Sequence, residues 1–127
     1  MTKAIIIVAI LLVIFIVPFI VLSNWGLDTI GKYGIDNNSP DWAWRAANIY
    51  SWSLREEKAI DAYTNFMERF PSDQRYRDAK YRRAICLAKV GPKDRAVAEF
   101  EQFAQWYPDD PNAEEAKRRA SLTKYTR

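Results

Sequence analysis

The chain has 127 residues and a formal net charge of +3, so it has room for one small domain, or for one domain and a membrane anchor. It contains no histidine, so the residue that most often serves as general base and metal ligand is missing. Its one cysteine, Cys86, cannot form an internal disulfide. Its four glycines build no phosphate-binding loop. We therefore predict a protein without catalytic residues, cofactor or metal, and so small a net charge does not indicate nucleic acid as a partner.

The chain begins with an apolar segment. Residues 4–22 carry no charge and are interrupted only by Pro18. Nineteen helical residues span roughly 28 Å, which matches the hydrocarbon core of a bilayer. Trp25 follows, where an aromatic ring favours the membrane interface. We predict an uncleaved transmembrane anchor over residues 1–23 that contacts the lipid bilayer through residues 4–22.

A cleaved signal peptide is the main alternative, because a tolerable cleavage site stands at Val21-Leu22-Ser23. The apolar region of a signal peptide is usually about 7–15 residues long, so the length of this run favours retention. Lys3 precedes the run, whereas residues 23–41 hold Lys32 against three aspartates. The positive-inside rule then predicts a bacterial inner-membrane protein with its N terminus in the cytoplasm and its C-terminal domain in the periplasm.

Residues 24–39 contain three of the four glycines and end in Asn37-Asn38-Ser39 before Pro40. This composition is typical of turns, and it predicts a linker over 24–39 with Ser39 as the N-cap of the helix that follows. The apolar side chains of this segment leave open an alternative in which it lies along the membrane surface. These side chains are Leu27, Ile30, Tyr33 and Ile35.

From Pro40 onward the sequence repeats with an offset of 37 residues and no gap, since 59–73 aligns with 96–110 and 78–82 aligns with 115–119. Apolar residues recur every three or four positions within each unit, which predicts helices. Ser53 and Glu56 have the spacing of a capping box, and Asp73 and Asp110 are placed to cap the helices that follow them. The predicted helices lie near 40–52, 54–70, 74–90, 93–107 and 111–124.

Helix pairs with small, aromatic and proline positions at these offsets resemble tetratricopeptide repeats, and a Tyr-Pro or Phe-Pro ending followed by aspartate resembles the bacterial cell-envelope type. The matching residues of the second unit are Tyr81, Ala84, Gly91, Ala96, Phe100, Phe103 and Pro108. The resemblance covers about residues 41–125. It implies an all-α fold in which the single transmembrane helix precedes a short α-solenoid of two such helix pairs plus a C-terminal capping helix, over residues 40–127.

Two features depart from the repeat pattern. Leu54 occupies the position of the turn glycine in the first unit. Two repeats and a cap are also fewer than the three repeats that an independent solenoid usually needs. This shortfall indicates support from a partner, from the membrane or from self-association.

The resemblance implies that the aromatic signature residues are core and that partners bind the first helix of each pair. The core residues would be Tyr63, Phe66, Phe70, Phe100, Phe103 and Tyr107. The predicted partner-binding residues are Trp42, Arg45, Trp52, Arg75, Arg77, Lys80, Arg82 and Arg83. They would form a basic groove for an acidic peptide or anionic lipid headgroups. The alternative is a solvated face whose charges are balanced by nearby carboxylates. Trp44 takes a core position in the repeat register, whereas Trp42 and Trp52 do not.

Two functions remain open. The first is a non-enzymatic, membrane-anchored scaffold that binds other membrane or periplasmic proteins of the envelope. The second is a dedicated single-span accessory subunit of a large hetero-oligomeric membrane complex, such as a respiratory, photosynthetic or secretion assembly. An enzyme that uses the acidic residues 109–115 is disfavoured, because capping and the helix dipole explain carboxylates at a helix start.

Overall fold

A computed structural model describes residues 1–126, which form seven helices and no strand. The helices are α1 (Thr2–Leu22), α2 (Asn24–Asp36), α3 (Pro40–Trp52), α4 (Glu56–Arg69), α5 (Tyr76–Val90), α6 (Lys93–Trp106) and α7 (Ala113–Tyr125). Helices α3 to α7 confirm the five predicted helices, with ends that differ by at most two residues. The prediction of an all-α chain with a helical solenoid is confirmed.

Helix α1 is apolar on every side and extends through Pro18. All of its residues from Thr2 to Ile20 are exposed, so no face of the helix belongs to the core of the domain. Its length and composition are sufficient to cross a membrane.

The turn structure predicted for residues 24–39 is wrong, because residues 24–36 form α2. Leu27 is fully buried, and Ile35 packs against the same core. Gly34 lies so close to α3 that a Cβ atom there would be 2.5 Å from the backbone nitrogen of Ala43. Gly26 and Gly34 therefore serve close contacts with α1 and α3, whereas Gly31 has room for a Cβ atom. The division of the chain into domains at residues 23 and 39 stays a prediction.

The core consists of two clusters that share α5 and α6. The first joins α2, α3, α4 and α5 with Ala96 of α6, and the second joins α5, α6 and α7. Five of the six predicted aromatic core residues are buried and Tyr107 is half-buried, which confirms them as core. The ring centroid of Trp44 lies 5.3 Å from that of Phe66, which confirms the core position of this tryptophan.

Two positions 37 residues apart give the repeat its turn geometry. Leu54, between α3 and α4, has φ +62°, and Gly91, between α5 and α6, has φ +84°. This left-handed backbone favours glycine and costs an L-residue roughly 1–2 kcal/mol. The capping box predicted at Ser53 is wrong, because its Oγ donates to the carbonyl of Ile49 and closes α3 instead. Helix α4 begins after Arg55.

Of the three other predicted caps, only Ser39 is an N-cap, because the N-caps of α5 and α7 are Arg75 and Asn112. Ser39 is the N-cap of α3 ahead of Pro40, but its side chain makes no capping hydrogen bond. Asp73 Oδ1 accepts from the backbone N–H of Arg75, and Asp110 Oδ1 accepts from that of Asn112. Both aspartates therefore cap the turns that lead into α5 and α7.

Successive helices from α2 to α7 pack against one another and are joined by short turns, so the turns alternate between two edges of the solenoid. The edge that also holds the start of α2 is here called the α1-side edge, and it consists of helix ends and turn residues at 51–55, 88–93 and 123–126. The other edge is called the opposite edge, and it consists of helix ends and turn residues at 36–41, 70–75 and 107–112.

Candidate partner-binding surface

Two of the predicted basic residues on α5 lie inside the molecule. The Nη2 atom of Arg83 lies 2.5 Å from Glu99 Oε1, and both side chains are nearly buried. Lys80 is 3% exposed, and its Nζ donates to Gln102 Oε1 and lies 4.6 Å from the ring centroid of Trp106. Burial lowers the pKa of Lys80. The prediction that these two side chains line an open basic groove is wrong, because both join α5 to α6.

The other arginines on this side are paired with carboxylates. Arg75 Nη1 lies 2.7 Å from Asp41 Oδ1, and its Nε lies 2.9 Å from Asp73 Oδ1. Arg77 lies 3.5 Å from Asp110, an ion pair between the starts of α5 and α7. The face is therefore balanced in charge rather than basic, as the alternative interpretation of the sequence had it.

An acidic residue and an arginine four positions later recur on three helices, again with the offset of 37 residues. The pairs are Asp41 and Arg45 on α3, Asp78 and Arg82 on α5, and Glu115 and Arg119 on α7. On α5 and α7 the paired atoms are 3.1 Å apart. A shallow cavity of about 250 Å³ lies along this face, lined by Ser51, Asp78, Tyr81, Arg82, Ile85 and Asn112.

On α3, Asp41 and Arg45 do not pair with each other. Asp41 is bound to Arg75, and within residues 1–126 Arg45 forms no ion pair. The guanidinium of Arg45 instead lies 5.2 Å from the ring centroid of Trp42, whose side chain is 42% exposed. Helix α3 therefore presents a cation stacked on an indole ring at the surface, the two residue types most enriched at energetic centres of protein interfaces.

The structure does not bring Trp52 to this position. Trp52 is 80% exposed and stands ten residues after Trp42 on the same helix, which separates them by roughly 15 Å along the axis. Trp42 is near the opposite edge, where its Cβ faces Gly34, and Trp52 is at the α1-side edge. Both tryptophans lie outside the core, as the repeat register predicts, but they do not form one surface.

The acidic residues at the start of α7 have structural partners. Asp110 caps a turn and pairs with Arg77, and Glu115 pairs with Arg118 at 2.7 Å. Within residues 1–126 no three histidine, cysteine or acidic side chains are arranged to hold a metal ion. Cys86 is buried, and this burial raises the pKa of its thiol.

A second cavity on the solenoid, of about 700 Å³, was not predicted because it depends on α2. It is an open groove with Ala43 and Ala46 on its floor, between walls formed by α2 and α4. Tyr50 Oη donates to Asp28 Oδ1 at 2.5 Å, which lowers the pKa of Asp28, and burial raises the pKa of Tyr50. The helical spacing of the apolar residues in 24–36 was the sequence signal for this groove.

The α5–α6 pair has the packing of a repeat unit, with the ring of Tyr81 against those of Phe100 and Phe103 and with Ala84 fully buried. Residues 78–110 match the tetratricopeptide repeat family. This match and the all-helical fold support the assignment of the chain to tetratricopeptide repeats. Comparisons with curated proteins and with solved structures find no match.

Tetratricopeptide repeats stack into solenoids that bind other proteins through extended concave surfaces, and the family is generally non-enzymatic. The matched repeat contains Lys80, Arg82 and Arg83, but of these only Arg82 is exposed. The accessible cation and aromatic ring, Arg45 and Trp42, lie on the preceding helix pair. A partner-binding role for any of the eight predicted residues stays a prediction.

Proposed function

We propose that this chain is a non-enzymatic scaffold that holds another protein beside a membrane, with α1 as its anchor. The observation that carries the proposal is that Asp41 and Arg45 on α3 do not pair with each other. Arg45 and Trp42 are exposed, whereas the equivalent cations on α5 and α7 are bound to carboxylates. The matched repeat supports protein binding, and the fully exposed apolar helix supports a membrane location.

The docking surface is the face of α3 that carries Trp42 and Arg45. An acidic segment of the partner suits it, because a carboxylate accepts hydrogen bonds from a guanidinium while an apolar neighbour covers the indole ring. The distribution of charge on either side of α1 supports an N terminus in the cytoplasm and a domain in the periplasm of a bacterial inner membrane, beside other envelope proteins.

An accessory subunit of a large membrane complex is the second candidate. The observation that favours it is α1, which exposes apolar side chains on every side and so could pack against neighbouring transmembrane helices. The small number of repeats favours it less than the sequence suggested, because α2 adds a sixth helix to the solenoid and extends its core.

The test is affinity purification of the full-length chain from its native membranes in mild detergent, with mass spectrometry of the proteins that co-migrate. Arg45→Gln and Trp42→Ala are compared with Arg82→Gln, the matched control one repeat later. The scaffold proposal expects a salt-sensitive partner that is lost with the first two variants and kept with the control.

A partner retained equally by all variants would contradict the docking surface on α3. A fixed-ratio set of membrane subunits that survives every variant would support the accessory-subunit candidate. The anchor is tested separately with Leu12→Arg, since an arginine at the centre of a span costs about 3 kcal/mol of insertion free energy. Alkaline extraction should release this variant and leave the wild type in the membrane.

A further inference from the structure

The junction between α1 and α2 is a single residue. Ser23 stands between the two helices, and its Oγ accepts from the backbone N–H of Gly26 and donates to the carbonyl of Ile20. A Cβ atom on Gly26 would collide with that carbonyl. Helix α2 therefore starts directly on the end of α1, and Asn24 lies at the level where the apolar helix ends.

The turn between α3 and α4 lies against Asn24. Tyr50 Oη donates to the backbone carbonyl of Asn24 at 2.8 Å, and Arg55 Nη1 donates to its side-chain Oδ1 at 2.8 Å. These bonds link residues that are 26 and 31 positions apart in the chain. They hold residues 51–55 beside the end of α1.

This turn exposes two large apolar side chains. Trp52 is 80% exposed and Leu54 is 73% exposed, and Trp25, one residue after Asn24, is 72% exposed. Leu54 keeps its side chain in a left-handed backbone conformation for which the next repeat uses Gly91. The fold therefore needs neither the side chain of Trp52 nor that of Leu54, and both cost free energy in water.

The two edges of the solenoid also differ in charge. Residues 51–55, 88–93 and 123–126 of the α1-side edge carry four basic residues, and three acidic residues, Glu56, Glu57 and Asp94, follow directly in the first turns of α4 and α6. Residues 36–41, 70–75 and 107–112 of the opposite edge carry five acidic residues and one arginine. A bilayer surface with anionic lipids therefore favours the first edge over the second.

We propose that the α3–α4 turn lies in the headgroup region of the bilayer that α1 spans, with Trp52 and Leu54 inserted beside Trp25. The inference rests on the proposed function in one respect, the location of α1 in a membrane. Indole rings favour this interfacial depth, and leucine adds apolar area just below it. The solenoid then stands on the membrane by its α1-side edge, and the opposite edge points away from the lipid.

The test uses the full-length chain in vesicles of three parts phosphatidylcholine and one part phosphatidylglycerol. Single cysteines at Leu54→Cys, Ser72→Cys and Ile16→Cys carry a small environment-sensitive fluorophore. The vesicles contain a nitroxide quencher either on the headgroup or near the methyl end of the acyl chain. The wild type, whose Cys86 is buried, goes through the same labelling as a control.

We expect the label at position 54 to lose most of its emission to the headgroup quencher, and the label at position 72, on the opposite edge, to lose none. The label at position 16 should be quenched from the acyl chain. Trp52→Ser should reduce the quenching at position 54.

Quenching at position 16 with none at position 54 would overturn the inference and leave the anchor in place. No quenching at position 16 would overturn the anchor itself, and with it the proposed function. Equal headgroup quenching at positions 54 and 72 would also overturn the inference, because the domain would then lack a fixed edge on the membrane. Unchanged quenching in Trp52→Ser would remove Trp52 from the contact.

Discussion

Two turns at the opposite edge and two at the α1-side edge of the solenoid close in different ways. In the turns before α5 and α7, at the opposite edge, the carboxylates of Asp73 and Asp110 accept from the backbone. The turns before α4 and α6, at the α1-side edge, instead contain residues with positive φ, Leu54 and Gly91, and the hydroxyl of Ser53 donates to the carbonyl of Ile49. The turn before α3 is the exception at the opposite edge, because it also contains a residue with positive φ, Asn38. The side chains of Asp73 and Asp110 are therefore needed for their turns, whereas several side chains at the α1-side edge are available for contacts outside the domain.

The largest change in stability is expected from Gly34→Ala, next to the opposite edge. The added Cβ would lie 2.5 Å from the backbone nitrogen of Ala43 and 2.9 Å from the carbonyl oxygen of Ser39, neither of which can move without shifting α3. We expect a loss of about 3 kcal/mol in the free energy of unfolding. Thermal unfolding of the full chain in mild detergent, followed by circular dichroism, measures it.

Gly31→Ala on the same helix is the matched control. Its Cβ would make an ordinary contact of 3.5 Å with the Cβ of Ala46, and alanine favours a helix interior over glycine by about 0.5–1 kcal/mol. This variant should be more stable than the wild type. Equal destabilisation by both substitutions would mean that α2 does not pack on α3 as described.

A smaller loss is expected from Asp73→Ala, which removes a turn cap and an ion pair at the opposite edge. Loss of a capping side chain typically costs about 1 kcal/mol. Arg75 keeps its contact with Asp41, which limits the further loss. Asp109→Ala, an exposed aspartate in the equivalent turn of the next repeat, should leave the unfolding temperature unchanged.

The contribution of Asp73 also depends on pH. Hydrogen bonds from Arg75 hold the pKa of this carboxyl below its ordinary value of 3.8. A lowered folded-state pKa stabilises the protein above the unfolded-state pKa, and this stabilisation disappears as the pH falls through the folded-state pKa. Asp73→Asn should therefore be less stable than the wild type at neutral pH, with a difference that vanishes in acid. A constant difference would show that the charge of Asp73 does not contribute to stability.

The smallest effect is expected at the α1-side edge, from Leu54→Gly. Glycine relieves the left-handed backbone, and the leucine side chain is mostly exposed, so stability should rise by up to about 1 kcal/mol. Gly91→Ala, the reciprocal change, should lower it by about 1–2 kcal/mol. If Leu54→Gly instead destabilises the domain in detergent, the leucine side chain contributes to folding and the contrast between the edges is smaller than described.

The sequence predicted α3 to α7 because apolar spacing and the offset of 37 residues agree along 85 residues or so, and both signals are local. It failed at α2, where glycine composition indicated a linker. Gly26 and Gly34 are required by contacts with α1 and α3, and contacts of this kind become visible only after the chain has folded. The helical spacing of Leu27 and Ile35 was present in the sequence and was outweighed by the glycines.

The ion pairs of the surface could likewise be predicted only in part from the sequence. Pairs four residues apart on one helix, such as Asp78 with Arg82, can be predicted from spacing. The pairs that neutralise the expected basic groove join different helices: Arg75 binds Asp41, 34 positions away, and Arg83 binds Glu99, 16 positions away. Packing of neighbouring helices creates these pairs, so the sequence alone could not show that, within residues 1–126, Arg45 is exposed and lacks an ion pair.

The single residue between α1 and α2 restricts where a partner can be reached. A flexible linker of about 16 residues would have let the domain move roughly 22 Å from the bilayer. Ser23 gives no such freedom, and a domain of about 100 residues has a radius of gyration of only about 13 Å. With α1 in a membrane, as proposed above, encounters are confined to a thin layer along that membrane, where molecules diffuse in two dimensions and the local concentration of another membrane protein is high. Modest affinity at the docking surface is then sufficient for stable association.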